Sequence, residues 1–151
     1  MFVGDNSIDD IVTMTERAQA QFVAGDSSRY EELFAHREDV SLTGPFGGPP
    51  MVGWSTIQPR MRQAAALFDA GGSGSIKVFQ AIACTDVVCL VTIERDRVRF
   101  VHNGTEGRWE LRVTQVYELM DEKWRIVHRH ADPLTEPHTI DDILTFAYLA
   151  M

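Results

Sequence analysis

The sequence predicts an α+β fold in which a curved antiparallel sheet packs against helices from the N-terminal half of the chain. Two observations lead to this prediction. Apolar residues recur at helical spacing through roughly the first 70 positions. From Ser75 onward the pattern changes to long segments rich in Val, Ile, Thr, Phe and Trp, which are typical of strands. Helices followed by a run of strands favour an α+β arrangement with the helices on one face of the sheet.

Four helices are predicted from their caps and apolar stripes. The first begins at a box-like Ser7–Asp10 segment and continues to Gly25, with its stripe formed by Ile8, Ile11, Val12, Thr15, Gln19 and Phe22. A short second helix is capped by Asp26, ends near His36 and presents Tyr30, Leu33 and Phe34. The third starts at 55–58 and buries Ile57, Met61, Ala64, Ala65 and Phe68. Thr139–Asp142 caps a C-terminal helix marked by Ile140, Ile143, Leu144 and Ala147.

The strands are expected to form a meander, since polar turn residues separate consecutive segments. The segments span 75–85, 87–101, 108–119 and 123–132, with an extended stretch at 40–43 before them. The loop 44–50, GPFGGPP, cannot continue a helix or a central strand and is predicted to be an irregular turn.

Composition bounds the protein class. The 151 residues, 44% of them hydrophobic, are expected to form one domain over 1–151. A net charge of −8 without a basic run argues against nucleic acid as a partner. Cys84 and Cys89 fit neither a zinc site nor a disulfide framework, so both are expected to be reduced. No secretory leader or membrane-spanning stretch is evident, and a cytoplasmic protein without a membrane partner is expected.

Two motifs resemble the nuclear transport factor 2-like superfamily, and within it the SnoaL-like and ketosteroid-isomerase-like proteins. The loop 44–50, followed by Val52-Gly53 and the third helix, is similar to the Asp-Pro-Phe/Val-Gly loop of ketosteroid isomerases. The segment 124–130, WRIVHRH, resembles the closing strand of the calcium/calmodulin-dependent kinase II association domain and of many SnoaL-like proteins. The resemblance covers nearly the whole chain and implies a cone-shaped nuclear transport factor 2-like, or cystatin-like, roll.

The ketosteroid isomerase reaction itself is not expected. The resemblance places the loop carboxylate at Gly44, the helix-one tyrosine near Ala18 and the strand acid near Arg112 or Val113. None of these positions carries the required side chain, and a glycine cannot act as a general base.

Alternation along the closing strand divides its side chains between two faces. One face carries Trp124, Ile126, His128, His130 and Asp132, and the other carries Arg125, Val127, Arg129 and Ala131. The resemblance implies that Arg129 looks into the cone, where a substrate carboxylate or enolate could pair with it. By the same parity the neighbouring strand presents to the pocket Trp109, Leu111, Val113, Gln115 and Tyr117.

Other polar and aromatic residues have both a functional and a structural interpretation. His128, His130 and Asp132 are candidate catalytic residues, although hydrogen-bonded sheet or interface residues are the favoured interpretation. A strand bulge would reverse the parity and turn the histidines inward. His36 and Asp39 form a second possible acid/base pair, with a solvated helix end as the alternative. Trp54 and Phe46 could stack on a flat ligand or simply pack.

The leading hypothesis is a SnoaL-like protein with an apolar pocket for a small apolar or polycyclic molecule. It could be an isomerase, cyclase or dehydratase. In this hypothesis Arg129 anchors an anionic group, Gln115 and Tyr117 donate or accept hydrogen bonds, and one histidine is the acid or base. The alternative is a non-catalytic homo-oligomeric association domain, and a homodimer is expected because the outer sheet face is apolar. No metal, nucleotide or flavin motif is visible, so no cofactor is expected.

Overall fold

The computed structural model describes residues 5–150, and their side chains over 7–146. Four helices and six strands follow one another in the chain. They are α1 (Asp5–Phe22), α2 (Ser28–Leu33), β1 (Ser41–Thr43), β2 (Met51–Val52), α3 (Trp54–Ala65), β3 (Ser73–Ala83), β4 (Val87–Arg99), β5 (Glu106–Met120), β6 (Lys123–Pro133) and α4 (Ile140–Ala150). The predicted α+β fold is confirmed, and the four long strands agree with prediction to within two residues at every end.

One curved, unclosed sheet contains all six strands in the order β2-β1-β6-β5-β4-β3. The strands β3 to β6 form the expected antiparallel meander. β1 instead runs parallel to β6, with Ser41 opposite His128 and Thr43 opposite His130. The sheet is therefore mixed, because the extended stretch before the glycine-proline loop returns to the far side of the closing strand.

Two helix boundaries and one short strand differ from the prediction. Ser7 lies inside α1, which already includes Asp5, so the predicted capping box there is not the start of the helix. α2 ends at Leu33, because Phe34 is already extended and forms a bridge to Ile126. The two-residue strand β2 was missed, since a pair of residues carries no periodicity. The predicted Thr139 cap is confirmed: Thr139 and Asp142 each accept a hydrogen bond from the other's backbone nitrogen at 3.1 Å.

The inner face of the sheet and the helices share a core. Its fully buried members include Ile11 of α1, Phe34, Ile57 of α3, and Tyr117 and Ile126 of the sheet. Gly25 ends the turn after α1 with a φ of +101°, and a Cβ there would lie 2.7 Å from the Phe68 carbonyl oxygen. A residue with a side chain is disfavoured at that position by both its conformation and its surroundings.

A bulge in β6 changes its alternation. The register with β5 shifts between Val116 and Tyr117, so that Val116 opposes His128 while Tyr117 opposes Ile126. Ile126 is consequently fully buried, whereas Val127 is only partly buried. The expectation that Ile126 lies on the face opposite Arg129 is wrong, because the extra residue moves Ile126 to the inner face while Arg129 and Ala131 stay there and Val127 still packs partly against the core. Within the described residues, no helix is both long and apolar enough to cross a membrane.

Candidate functional site

A buried ion pair lies on the inner face of the sheet. Arg129 of β6 donates from its two terminal nitrogens to the two carboxylate oxygens of Glu94 on β4, at 2.7 and 3.0 Å. Glu94 is fully buried and Arg129 is 8% exposed. A two-point contact of this kind fixes both side chains and partly offsets the cost of removing two charges from water. The acceptor expected from a substrate is therefore already supplied by the protein.

A directed chain of hydrogen bonds continues from this pair through the interior. Arg129 also donates to the Gln115 amide oxygen and to the Tyr30 hydroxyl, and Tyr30 donates to that same amide oxygen at 2.6 Å. Gln115 donates to the Tyr117 hydroxyl at 2.5 Å. Because the Thr15 hydroxyl donates to the Ile11 carbonyl, the 2.6 Å contact between Tyr117 and Thr15 has Tyr117 as donor. The chain joins α1, α2, β4, β5 and β6.

Arg129 stays charged and the two tyrosines stay neutral over the ordinary pH range. Burial acts to lower the pKa of the Arg129 guanidinium, but the adjacent Glu94 carboxylate outweighs burial and raises it. Burial raises the pKa of both Tyr117 and Tyr30 well above the usual tyrosine range. Both tyrosines therefore remain neutral, and each donates its single proton within the network.

Asp96 lies two residues beyond Glu94 on the same face of β4 and differs from its neighbours. Its Oδ2 atom accepts from the Trp109 indole at 2.8 Å and from the Gln19 amide at 2.9 Å. Its Oδ1 atom is buried and has no hydrogen-bond partner among the residues that the structure describes. Burial, together with the nearby Glu94 charge, raises the pKa of Asp96 to about 6. A carboxyl group with this pKa exchanges its proton close to neutral pH.

Gly74 of β3 provides the space that the Asp96 carboxylate occupies. The two residues are opposite one another in the β3–β4 register. A Cβ on Gly74 would lie 2.5 Å from Asp96 Oδ1, which is closer than non-bonded atoms approach. A glycine in a strand often marks such a close approach.

Sequence reasoning missed the two acids because both parities of β4 look apolar. Two alternating sets of apolar residues could each have been the inward face: Val87, Cys89, Val91 and Ile93, or Val88 and Leu90. Only the structure shows that the second set faces inward. The sequence held one indication that the acids lie inside. Glu94 and Asp96 alternate in phase with Leu90, whereas the arginines Arg95 and Arg97 lie on the opposite face. The roles of Tyr30, Thr15 and Gln19 were hidden because these residues fit ordinary helix stripes.

The predicted pocket residues on β5 and β6 lie together on the inner face. Val113, Gln115 and Tyr117 are at most 2% exposed, and Trp109 is partly buried. Trp54 is instead in the core, stacked on His36 with 4.4 Å between ring centroids. Phe46 is 71% exposed, with its ring 6.0 Å from that of Trp109.

The three predicted catalytic residues lie on the outer face. His128 Nδ1 is 2.7 Å from the Ser41 hydroxyl oxygen, and burial together with His130 lowers the pKa of His128. Asp132 accepts two hydrogen bonds of 2.8 Å from Arg112, and it is 3.9 Å from His130 Nε2. The bulge does not turn the histidines inward, and none of the three contacts the Arg129 network. Their catalytic roles stay predictions.

His36 and Asp39 are held apart by separate partners. The His36 Nε2 atom is 2.7 Å from the Glu31 carbonyl oxygen, and Asp39 is bound by Arg37. Nothing in this arrangement joins them as an acid/base pair.

Two surface grooves are separate from the inner face. A groove of about 580 Å³ lies between α1, α2 and the β5–β6 turn, and one of about 510 Å³ adjoins it near His36 and Met120. Neither is lined by any predicted pocket residue. Among the residues that the structure describes, no group of three His, Cys, Asp or Glu side chains could hold a metal ion.

Comparison with solved structures identifies the fold. The chain is similar to a nuclear transport factor 2-like superfamily protein from Salmonella enterica serovar Typhimurium, at 17% identity and a TM-score of 0.71, covering 88% of this chain and 94% of that one. A proposed dehydratase of the same superfamily from Streptomyces avermitilis matches with 14% identity and a TM-score of 0.71, over 89% of this chain and 100% of that one. The association domain of calcium/calmodulin-dependent kinase II from Caenorhabditis elegans matches with 17% identity and a TM-score of 0.63, over 84% of this chain and 95% of that one. The fold is thus nuclear transport factor 2-like.

The family follows from the sequence model. Residues 11–135 match the SnoaL-like domain, and the chain belongs to that family. No curated protein sequence matches the chain.

Proposed function

We propose that this SnoaL-like protein binds a small, mostly apolar molecule beside Asp96 and transfers a proton on it, in an isomerase, cyclase or dehydratase type of reaction. The observation that carries the proposal is the buried Asp96 carboxyl, which has one unpartnered oxygen and a pKa raised to about 6. Strongly perturbed carboxyl groups of this kind are typical of general acids and bases.

Each neighbour of Asp96 has a distinct part in this proposal. Trp109 and Gln19 both bind Oδ2, so the proposal assigns the substrate contact to Oδ1, the oxygen that lies against Gly74. The Glu94–Arg129 pair holds the inner face rigid, and the Glu94 charge helps to keep the Asp96 pKa high. Trp109 also contacts Phe46, whose exposed ring marks the end of the sheet by which a ligand would arrive.

In the proposed chemistry, Asp96 alone both removes a proton from the substrate and returns one to it. With Asp96 ionised, Oδ1 takes a proton from a carbon next to a carbonyl and returns it to another atom of the same substrate. With Asp96 protonated, it donates the proton to a departing hydroxyl group and regains one from the adjacent carbon. Both directions require a pKa near the working pH, since the group must lose and regain the proton in each cycle.

A substrate-independent assay tests this proposal. A panel of small cyclic and aromatic ketones in D2O is incubated with the protein, and loss of the α-proton signal is followed by NMR. The wild-type protein should accelerate exchange for at least one ketone, with an inflection near pH 6, and Asp96→Asn should lower that rate by about 10²–10⁴-fold. Glu110→Gln, on the exposed face of β5, serves as the matched control. Exchange no faster than in buffer, or undiminished in Asp96→Asn, would contradict the proposal.

The second candidate is a non-catalytic homo-oligomeric association domain, and its specific observation is the outer sheet face. Cys89, Val91, Ile93 and Val116 lie there only half covered within one chain, beside His128. An apolar surface of this extent on a sheet is typical of an association site, and a homodimer through it is proposed. Light scattering should give twice the chain mass for the wild type and the single-chain mass for Ile93→Glu. Equal masses for both variants would contradict this interface.

A further inference from the structure

The C-terminal helix α4 is well formed locally, and the other residues that the structure describes do not cover its apolar side chains over 140–146. Thr139 and Asp142 cap its first turn, and Thr145 bonds the Asp141 carbonyl. Its large apolar side chains are nevertheless exposed: Ile140 by 79%, Ile143 by 53%, Leu144 by 61% and Phe146 by 53%. None of these four belongs to the hydrophobic clusters of the described residues. A short helix in water gains most of its stability from tertiary packing, so we expect the stripe formed by these side chains to pack against an apolar surface.

α4 lies beyond the residues that match the family model. The SnoaL-like match ends at residue 135, before α4 begins at Ile140. The helix is therefore outside the matched domain, and its exposed apolar stripe has to be explained separately.

A matching apolar surface lies at the end of the sheet where α4 emerges. We call it the Trp109 end, formed by Phe46, Phe100, Trp109 and Leu134. Phe46 and Phe100 pack edge-on against Trp109, with centroids at 6.0 and 6.4 Å. Phe46 is 71% exposed and Leu134 39% exposed, and Val101 beside them is 62% exposed. This is the same end of the sheet that holds Asp96, because Trp109 donates to the Asp96 carboxylate.

The connection allows α4 to reach this surface within one chain. Leu134 is fixed next to Trp109, since its nitrogen donates to the Glu110 carbonyl at 2.9 Å. The six residues from 134 to 139 span at most about 20 Å when extended. The helix itself is about 16 Å long. The tether keeps the stripe close to the Trp109 end at all times, which favours docking in the same chain over docking on a second copy.

We propose that α4 is a lid, and that its stripe of Ile140, Ile143 and Leu144 packs over the Trp109 end of its own chain. This purpose rests on the proposed function: Asp96 is already buried, and the closed helix adds an apolar wall to the ligand site beside it. Closing elements of this kind sequester a proton-transfer step from solvent.

Cysteine cross-linking tests the lid without any substrate. In a Cys84→Ser, Cys89→Ser background, Phe46→Cys is combined with Ile143→Cys on the stripe, or with Thr145→Cys on the opposite side of the helix as the matched control. Mild oxidation should link positions 46 and 143 within one chain at a rate independent of dilution, and at least about tenfold faster than positions 46 and 145. That contrast follows from the narrow distance range over which a disulfide forms.

The two proposals fail in different ways. Equal rates for the two pairs, no link, or only links between two chains would overturn the lid. Loss of ketone exchange in Asp96→Asn belongs to the proposed function alone and does not involve α4. With both proposals correct, Ile143→Glu should reduce the exchange rate while Thr145→Glu leaves it unchanged. Unchanged exchange in Ile143→Glu would overturn the lid and leave the role of Asp96 standing.

Discussion

At the scale of single residues, the inner face contains two kinds of buried charge. Glu94 and Arg129 satisfy one another, and their surplus hydrogen-bonding groups are taken up by Tyr30 and Gln115. Asp96 has only neutral donors and one unpartnered oxygen. A satisfied ion pair holds structure, whereas an unsatisfied carboxyl stores an unfavourable interaction that a ligand could relieve. This contrast separates the structural residues from the candidate reactive one.

The buried pair should be far more sensitive to loss of one partner than a surface pair. Arg129→Met leaves the Glu94 charge unpaired in the interior and should lower the free energy of unfolding by about 3–5 kcal/mol. Arg112→Met removes a similar two-point contact to Asp132 on the surface and should cost about 0–1 kcal/mol. Urea unfolding of both variants measures the difference. The double variant Glu94→Leu/Arg129→Met should recover part of the loss, and equal effects of the two single variants would contradict the assignment.

Asp96 should make the protein less stable as pH rises. Its pKa is raised from 3.8 to about 6, so between these values the folded chain retains a proton that the unfolded chain has released. The free energy of unfolding therefore falls across that window, by a total of about 3 kcal/mol on the usual conversion. Asp96→Asn accepts the same two hydrogen bonds without a charge.

Urea titrations at pH 4 and pH 8 measure this effect. The variant should be more stable than the wild type at pH 8 and should lose the decline between pH 4 and 6, with Glu110→Gln retaining it. A parallel pH profile for the wild type and Asp96→Asn would show that the carboxyl is ionised without cost.

At the scale of elements, β3 and β4 must approach closely where Gly74 faces Asp96. Gly74→Ala places a methyl carbon 2.5 Å from the carboxylate oxygen and should lower the free energy of unfolding by about 1–3 kcal/mol. Ser73→Ala, on the exposed adjacent position, is the control and should change stability by less than about 0.5 kcal/mol. Thermal unfolding followed by circular dichroism measures both. Combining Gly74→Ala with Asp96→Ala should remove most of the penalty, since the clash then has no partner.

The strands were predictable at this scale and their faces were not. Turn residues such as Asp86 and Asp121 mark the strand ends directly in the sequence, and alternation along β5 places Gln115 and Tyr117 inside correctly. In β4 both parities begin apolar, so the inward direction of Glu94 and Asp96 depended on packing against α1. In β6 a single bulged residue brought Ile126 to the inner face, and no local signal in the sequence marks a bulge.

At the scale of the whole molecule, helices and sheet depend on one another. The main core cluster draws its buried residues from α1, α2, α3 and the inner face of the sheet. A single domain over 1–151 should therefore unfold in one transition, with the far-ultraviolet circular dichroism signal and tryptophan fluorescence changing together in urea. Two separated midpoints would contradict the single-domain prediction.

The sequence by itself determined the class of fold, the four long strands and the four helices, because periodicity, caps and turns are local properties of the chain. The sequence also predicted that Arg129 faces the interior of the sheet. Only the tertiary structure decided that Glu94 is its partner, that Asp96 lies beside Trp109, and that His128 and His130 lie outside. The contacts of Asp96 with Trp109 and Gln19 join residues 13 and 77 positions apart, and the Glu94–Arg129 pair joins residues 35 apart. The burial that raises the pKa of Asp96 exists only once the sheet has curved around α1.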